Sequence, residues 1–190
     1  MVNTKRVTNQ DGTVYTLFYS TGSGFSNFYS CERLEIDGKT YVCTEQYFMY
    51  QKAVIFKDKG AAEKILKTKL PREMKAFGRQ VKNFDKETWK TASVHAMIVA
   101  NVHKFTQNDD LCSLLTDTAG STLVECSPRD RIWGIGLGIA NANAANKSKW
   151  RGQNLLGLIL SEIRDCLLEA PTPEFDEIVN IVKEKILKNV

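Results

Sequence analysis

The stretch TEQYFMYQKAVIF, Thr44 to Phe56, decides how the rest of the chain is read. At 100° per residue it places Glu45, Phe48, Met49, Lys52 and Phe56 on one side of a helix, and Tyr47, Tyr50 and Val54 on the other. Both sides are largely apolar, the pattern of a buried helix. Glu45 and Lys52, seven residues apart, fall within about 20° of each other on a surface that should exclude water. A buried charge is costly unless it is paired or used. Two readings stand side by side: an ion pair, internal or at a solvated rim, and a carboxylate and an amine lining a pocket. Thr44 reads as the N-cap, and Glu45 suits the helix dipole in the first turn.

Outward from that helix, the β-branched and aromatic content of TVYTLFY (Thr13 to Tyr19) predicts a strand, ended by the loop TGSG (Thr21 to Gly24). LEIDGKTYV (Leu34 to Val42) predicts a hairpin about Asp37-Gly38, a dipeptide favoured in tight turns. Downstream, Asp58 caps one short helix, Pro71 opens a second, and Asp85 caps a long one running through Trp89, Ala96 and His103. The lysines of the two short helices read as a solvated face. A short helix about Leu111 to Leu115 and a buried strand STLVEC (Ser121 to Cys126) follow. Residues 127–153 form a long segment rich in Gly, Asn and Ala, of the kind that is functional or disordered in a compact domain. Two amphipathic helices close the chain, with a turn fixed by Pro171-Thr172-Pro173. The expected class is α+β and predominantly helical: a flexible N-terminus over 1–12, one domain over 13–170 and a helical extension over 171–190.

Composition narrows the function. The 190 residues are 43% apolar and 25% charged with a net charge of +4, an ordinary soluble balance that permits anionic ligands without requiring them. Five cysteines in odd number, without a CxxC pair, and two histidines suggest neither a disulfide framework nor a metal centre, so no metal and no cofactor are expected. His95 reads as packed or solvated. No apolar run approaches bilayer length and the first residues lack a secretory h-region, so no membrane partner and a cytoplasmic or nuclear location are expected.

Candidate chemistry outside the opening helix lies in SPRDRIWGIGLG, Ser127 to Gly138. Glycines there allow close backbone approach, and exposed amides can bind phosphate oxygens. A mobile glycine-rich loop explains the same residues, and neither a dinucleotide fingerprint nor a phosphate loop is present. Trp89 and Trp133 could stack on a nucleobase, although a helical tryptophan such as Trp89 also suits a core. Arg79 and the Arg151–Asn154 segment before the penultimate helix are further anion candidates or plain surface charges.

Taken together and in order, FSNFY (Phe25 to Tyr29), IDGKTY (Ile36 to Tyr41), TEQYFMYQKA, FGR (Phe77 to Arg79), Trp89, LVE (Leu123 to Glu125), DRIWGIG (Asp130 to Gly136) and NLLG (Asn154 to Gly157) resemble the NADAR (YbiA-like) family over about residues 17–168. The resemblance implies a compact, mainly helical domain with a site for ADP-ribose-like or phosphorylated ribosyl ligands. It implies an N-glycosidase acting either on ADP-ribosylated guanine of DNA or RNA or on early phosphorylated intermediates of riboflavin synthesis. By the same resemblance Glu45 stabilises an oxocarbenium-like centre, Lys52 binds phosphate or ribose or attacks the anomeric carbon to form a transient Schiff base, and Asp130 orients a ribose hydroxyl or water. Ser26, Asn27, Phe28, Phe48 and Trp89 line the pocket, Arg79 pairs with phosphate, Trp133 packs on sugar or base, and Gly134, Gly136 and Asn154 contact the ligand. Ile135 stands where some bacterial relatives carry an acid; if that acid takes part in catalysis, this chain uses Asp130 or Glu45 instead or is less active. The alternatives are a non-catalytic ADP-ribose reader and a helical scaffold.

Overall fold

The strand signals resolve into two small sheets. Val14–Phe18 (β2) pairs antiparallel with Thr4–Thr8 (β1) and parallel with Thr122–Glu125 (β5), giving the order β1-β2-β5. Glu35–Ile36 (β3) and Lys39–Thr40 (β4) form the hairpin expected about Asp37-Gly38, and both turn residues have positive φ, 52° and 70°, as a two-residue primed turn requires. β1 is a departure from the frayed start expected over 1–12: its polar, outward residues TKRVT hide the strand, which β2 nonetheless supplies with a ladder.

The computed structural model describes residues 4–9, 11–169 and 174–188. Among these, seven α-helices carry most of the fold: Thr44–Ile55 (α1), Lys59–Lys67 (α2), Pro71–Arg79 (α3), Lys86–Thr106 (α4), Asp109–Thr116 (α5), Leu155–Glu169 (α6) and Phe175–Leu187 (α7). The fold class is therefore α+β and predominantly helical. Asp58 and Asp85 act as the sequence predicts, accepting the Ala61 and Thr88 amides at the starts of α2 and α4. Pro71 opens α3. The Pro171-Thr172-Pro173 joint lies outside the described residues. No described helix is long and apolar enough to cross a membrane.

The chain divides into two units, Met1–Ser26 with Asp110–Val190, and Asn27–Asp109. In the first, Tyr15, Leu17, Val124 and Cys126 of the sheet pack with Ile135, Leu137 and Ala144 of the following segment. α6 lies on β5 and carries α7, whose Ile178, Val179, Val182 and Ile186 are buried. Lys185 of α7 bonds Glu162 of α6 at 2.8 Å, so the C-terminal extension is docked within this unit.

In the second unit, α1 packs against α2, α3 and α4 around Ala53, Phe56, Ile65 and Val81. α3 approaches α1 closely because Gly78 has no side chain: a Cβ there would stand 1.9 Å from Met49 Sδ. Only part of α1 is enclosed. Thr44 to Phe48 and Ala53 are buried, but Val54 is 45% exposed, so the all-round burial read from the sequence holds for the first turns alone.

Candidate functional site

α1 begins on an asparagine. The Asn27 carbonyl accepts the Glu45 amide at 2.9 Å, and its Oδ1 accepts the Thr44 hydroxyl at 2.9 Å and the Asn101 amide of α4 at 3.4 Å. Its Nδ2 donates to Met97 Sδ. Cys43, not Thr44, occupies the N-cap position, and it makes no side-chain cap bond. Thr44 is the first helical residue, and its hydroxyl is drawn to Asn27 instead. With 7% exposure, Asn27 is a clamp that fixes the first turn of α1, and so fixes Glu45, which is itself 5% exposed. Phe48 follows on the same face, its ring 5.1 Å from that of Trp89.

Lys52 completes the helix face two turns later. Its Nζ sits 4.1 Å from the Phe84 ring centroid and 5.9 Å from that of Trp89. Phe84 and Trp89 in turn flank Phe56, at 5.3 and 6.4 Å. Phe84 is 46% exposed and Trp89 half-buried, so these rings form an aromatic surround open on one side. Among the described residues no carboxylate bridges Lys52, which removes the salt-bridge reading of the Glu45–Lys52 pair. Burial alone lowers the Lys52 pKa below the usual lysine value, because leaving water penalises the ammonium. The Cys43 thiol at the start of α1 moves the other way: burial pushes it up to about 11, which disfavours the thiolate at neutral pH.

Two other expected ligand residues belong to this unit. Half-buried Phe28 lies 5.4 Å beneath the Lys75 ammonium of α3, and Arg79 ends α3 exposed, directly after the Gly78 contact. Phe84, Asn101 and Gly78 carry much of the arrangement, yet the sequence does not nominate them as site residues. The FGR motif was a signal for Gly78. Asn101 and Phe84 act through partners remote in sequence and leave no local pattern.

The remaining candidates, Ser26, Asp130, Trp133, Gly134, Gly136 and Asn154, lie in the other unit, and most of their polar groups are engaged there. The Ser26 amide donates to the Ser23 carbonyl. Asp130 Oδ1 accepts the Ile132 and Trp133 amides, and the Asp130 carbonyl accepts the Gly136 amide. The Ile135 amide goes to the Glu125 carbonyl, and the carbonyls of Arg131 through Ile135 receive the amides of Arg151 and of residues 153–156. The segment is thus a cross-linked weave rather than a mobile glycine loop, and its Ile135 and Gly136 amides are not presented to a phosphate. Gly134 and Gly136 are required by packing: a Cβ would stand 2.9 Å from the Glu125 carbonyl oxygen or from Arg151 Cβ. Gly136 also has φ +69°. Asn154 is 0% exposed; its Oδ1 accepts the Glu125 amide and its Nδ2 donates to the Leu123 carbonyl. It clips the edge of β5, and both ends of its side chain are engaged there. Trp133 is half-buried.

α1 thus holds a buried carboxylate and an unbridged amine, with Asn27 clamping its start. Residues 17–168 match the NADAR domain, and the chain belongs to that family. It is similar to protein irg-1 of Caenorhabditis elegans, 38% identical over 183 residues that cover 87% of this chain and 86% of that protein. N-glycosidase R617 of Acanthamoeba polyphaga mimivirus is 41% identical over 125 residues, 66% of this chain and 74% of its own. The fold resembles the NMR structure of the Escherichia coli protein YbiA with a TM-score of 0.67 at 32% identity, covering 82% of this chain and 85% of that one. The curated sequence of that protein is named N-glycosidase YbiA.

Proposed function

We propose that the protein hydrolyses the bond between guanine and the anomeric carbon of ADP-ribose, releasing ADP-ribose from a modified nucleic acid. Family membership, with relatives at 31% and 41% identity that bear the name N-glycosidase, makes it a hydrolase of N-glycosyl bonds. The observation that carries the finer reading is Lys52: an amine without a carboxylate partner, held under aromatic rings with one open side, on the helix that also holds buried Glu45. Open rings offer a stacking surface to a purine.

In this mechanism the Glu45 carboxylate stabilises positive charge at the anomeric carbon as the C–N bond lengthens. The guanine nitrogen leaves with the bonding pair and takes up a proton. Lys52 acts in its neutral form, which its lowered pKa makes more available: Nζ attacks the anomeric carbon and loses a proton. Ring opening gives an imine, and water then adds to the same carbon, breaks its bond to Nζ and returns the amine. Arg79, next to the α1–α3 contact, supplies a cation for a phosphate of the ADP moiety.

Incubation with an oligonucleotide carrying ADP-ribosylated guanine, followed by mass spectrometry, should show released ADP-ribose and restored guanine. Hydrolysis of a phosphorylated ribosyl intermediate of riboflavin synthesis without any such release would overturn the substrate. Borohydride added during turnover should trap a ribosyl adduct on Lys52, and repeated recovery of unmodified Lys52 would reduce the lysine to an electrostatic role.

A further inference from the structure

Residues 57–90, covering α2, α3 and the start of α4, hold eleven Lys and Arg against five Asp and Glu. The net of +6 exceeds the +4 of the whole chain, so the rest of the protein is slightly acidic. Ten of the eleven cations are exposed, Lys75 being the half-buried exception. Among the described residues none of them forms a salt bridge; the Arg33–Glu35, Arg164–Asp165 and Lys185–Glu162 pairs lie elsewhere. Acids of the segment are held in place by neutral donors: Asp58 accepts the Ala61 and Lys82 amides, Asp85 the Thr88 amide and Glu73 the Thr68 hydroxyl, and Asp58 also offsets part of the charge of Lys64 and Lys82. A solvated helix surface ordinarily balances the two signs, whereas here cations outnumber acids by more than two to one.

We infer that this face is a docking surface for the phosphate backbone of a single-stranded polynucleotide, leading the strand to the aromatic surround of Lys52. The inference rests on the guanine reading above and adds the surface that holds the carrier. Single-strand binding combines a cationic track with rings on which bases stack, and here exposed Phe84 and half-buried Trp89 stand inside the basic segment. A lipid surface fits less well: the only large hydrophobic side chains exposed in the segment are Leu70 and Phe84, too few for an inserting face. An acidic protein would use the charge but not the rings.

The test uses the whole protein and unmodified fluorescein-labelled single strands of about 20 nucleotides, as DNA and as RNA of the same sequence, read by anisotropy across a salt series. Both wild-type curves should weaken with salt, and the tighter one identifies the carrier. Lys59→Glu, Lys67→Glu and Arg72→Glu together should weaken binding about tenfold or more near 100 mM salt and make the salt slope shallower by about 2. The same triple variant should hydrolyse ADP-ribosylated guanosine, a substrate without a strand, at the wild-type rate. A control with Lys147→Glu, Lys149→Glu and Lys188→Glu, remote in sequence, should bind the strand as wild type does. Equal strand affinity of the 59/67/72 variant and wild type, or preferential binding of wild type to phosphatidylserine vesicles or polyglutamate, overturns the inference. Failure of wild type to hydrolyse the modified guanosine overturns the substrate reading instead, since strand binding is measured on unmodified nucleic acid.

Discussion

The helix α1 and the 127–156 weave look equally eligible as ligand sites in the sequence, one for its charges and one for its glycines, asparagines and aspartate. They differ in where their polar groups go. In α1 the ladder satisfies the backbone, so the Lys52 amine is left to aromatic rings and solvent. The weave has no ladder, and its amides and carbonyls must find one another individually; Asp130 and Asn154 are consumed in that task. Ligand-like residues in a loop therefore count as site residues only after the backbone has taken its share.

Substitutions can break that contrast. Glu45→Gln should have the largest effect, lowering kcat by about 10²- to 10³-fold with substrate binding retained, measured by turnover and equilibrium binding. A fully active variant would move Glu45 to the structural side. Asn154→Ala should act the opposite way. It leaves the Glu125 amide and Leu123 carbonyl unsatisfied and places alanine at φ 57°, a loss of about 2–4 kcal/mol in denaturant unfolding with unchanged KM. Asp130→Ala removes one acceptor shared by two amides at a partly exposed turn, a loss of about 1 kcal/mol. A kcat collapse without destabilisation would return Asp130 to the chemistry.

The smallest expected change sharpens the comparison from the side of α1. Because burial lowers the Lys52 pKa, the unfolded chain binds that proton more tightly than the folded one. The penalty on folding is full below the folded pKa and vanishes as pH rises past the ordinary value of 10.5. Lys52→Met should therefore melt slightly above wild type at neutral pH, with the advantage shrinking as pH rises. Melting curves from pH 7 to 10 check the sign.

Periodicity and punctuation made the helical part of the fold legible. Asp58, Pro71 and Asp85 mark helix starts because caps are local, and Asp37-Gly38 marks the hairpin because its φ requirements are local. β1 escaped notice because the segment is polar and its pairing is decided by β2. At the site, α1 displayed Glu45 and Lys52 by spacing alone. The Asn27 clamp, with Asn101 and Met97 seventy or more residues away, and the ring of Phe84 over Lys52 depend on tertiary contact, which no window of sequence contains.

The parallel pairing of β2 with β5 sets Tyr15 opposite Thr122, with the whole 27–109 unit between them in the chain. Closing so long a loop is entropically unfavourable, and the cost falls only as intervening chain becomes compact. During synthesis β5 leaves the ribosome after every residue of α1 to α4, so the helical unit has time to form before the central strand finds its partner. Until then β2 offers one unpaired edge, so the interval between translation of β2 and of β5 is a period of aggregation risk for this protein.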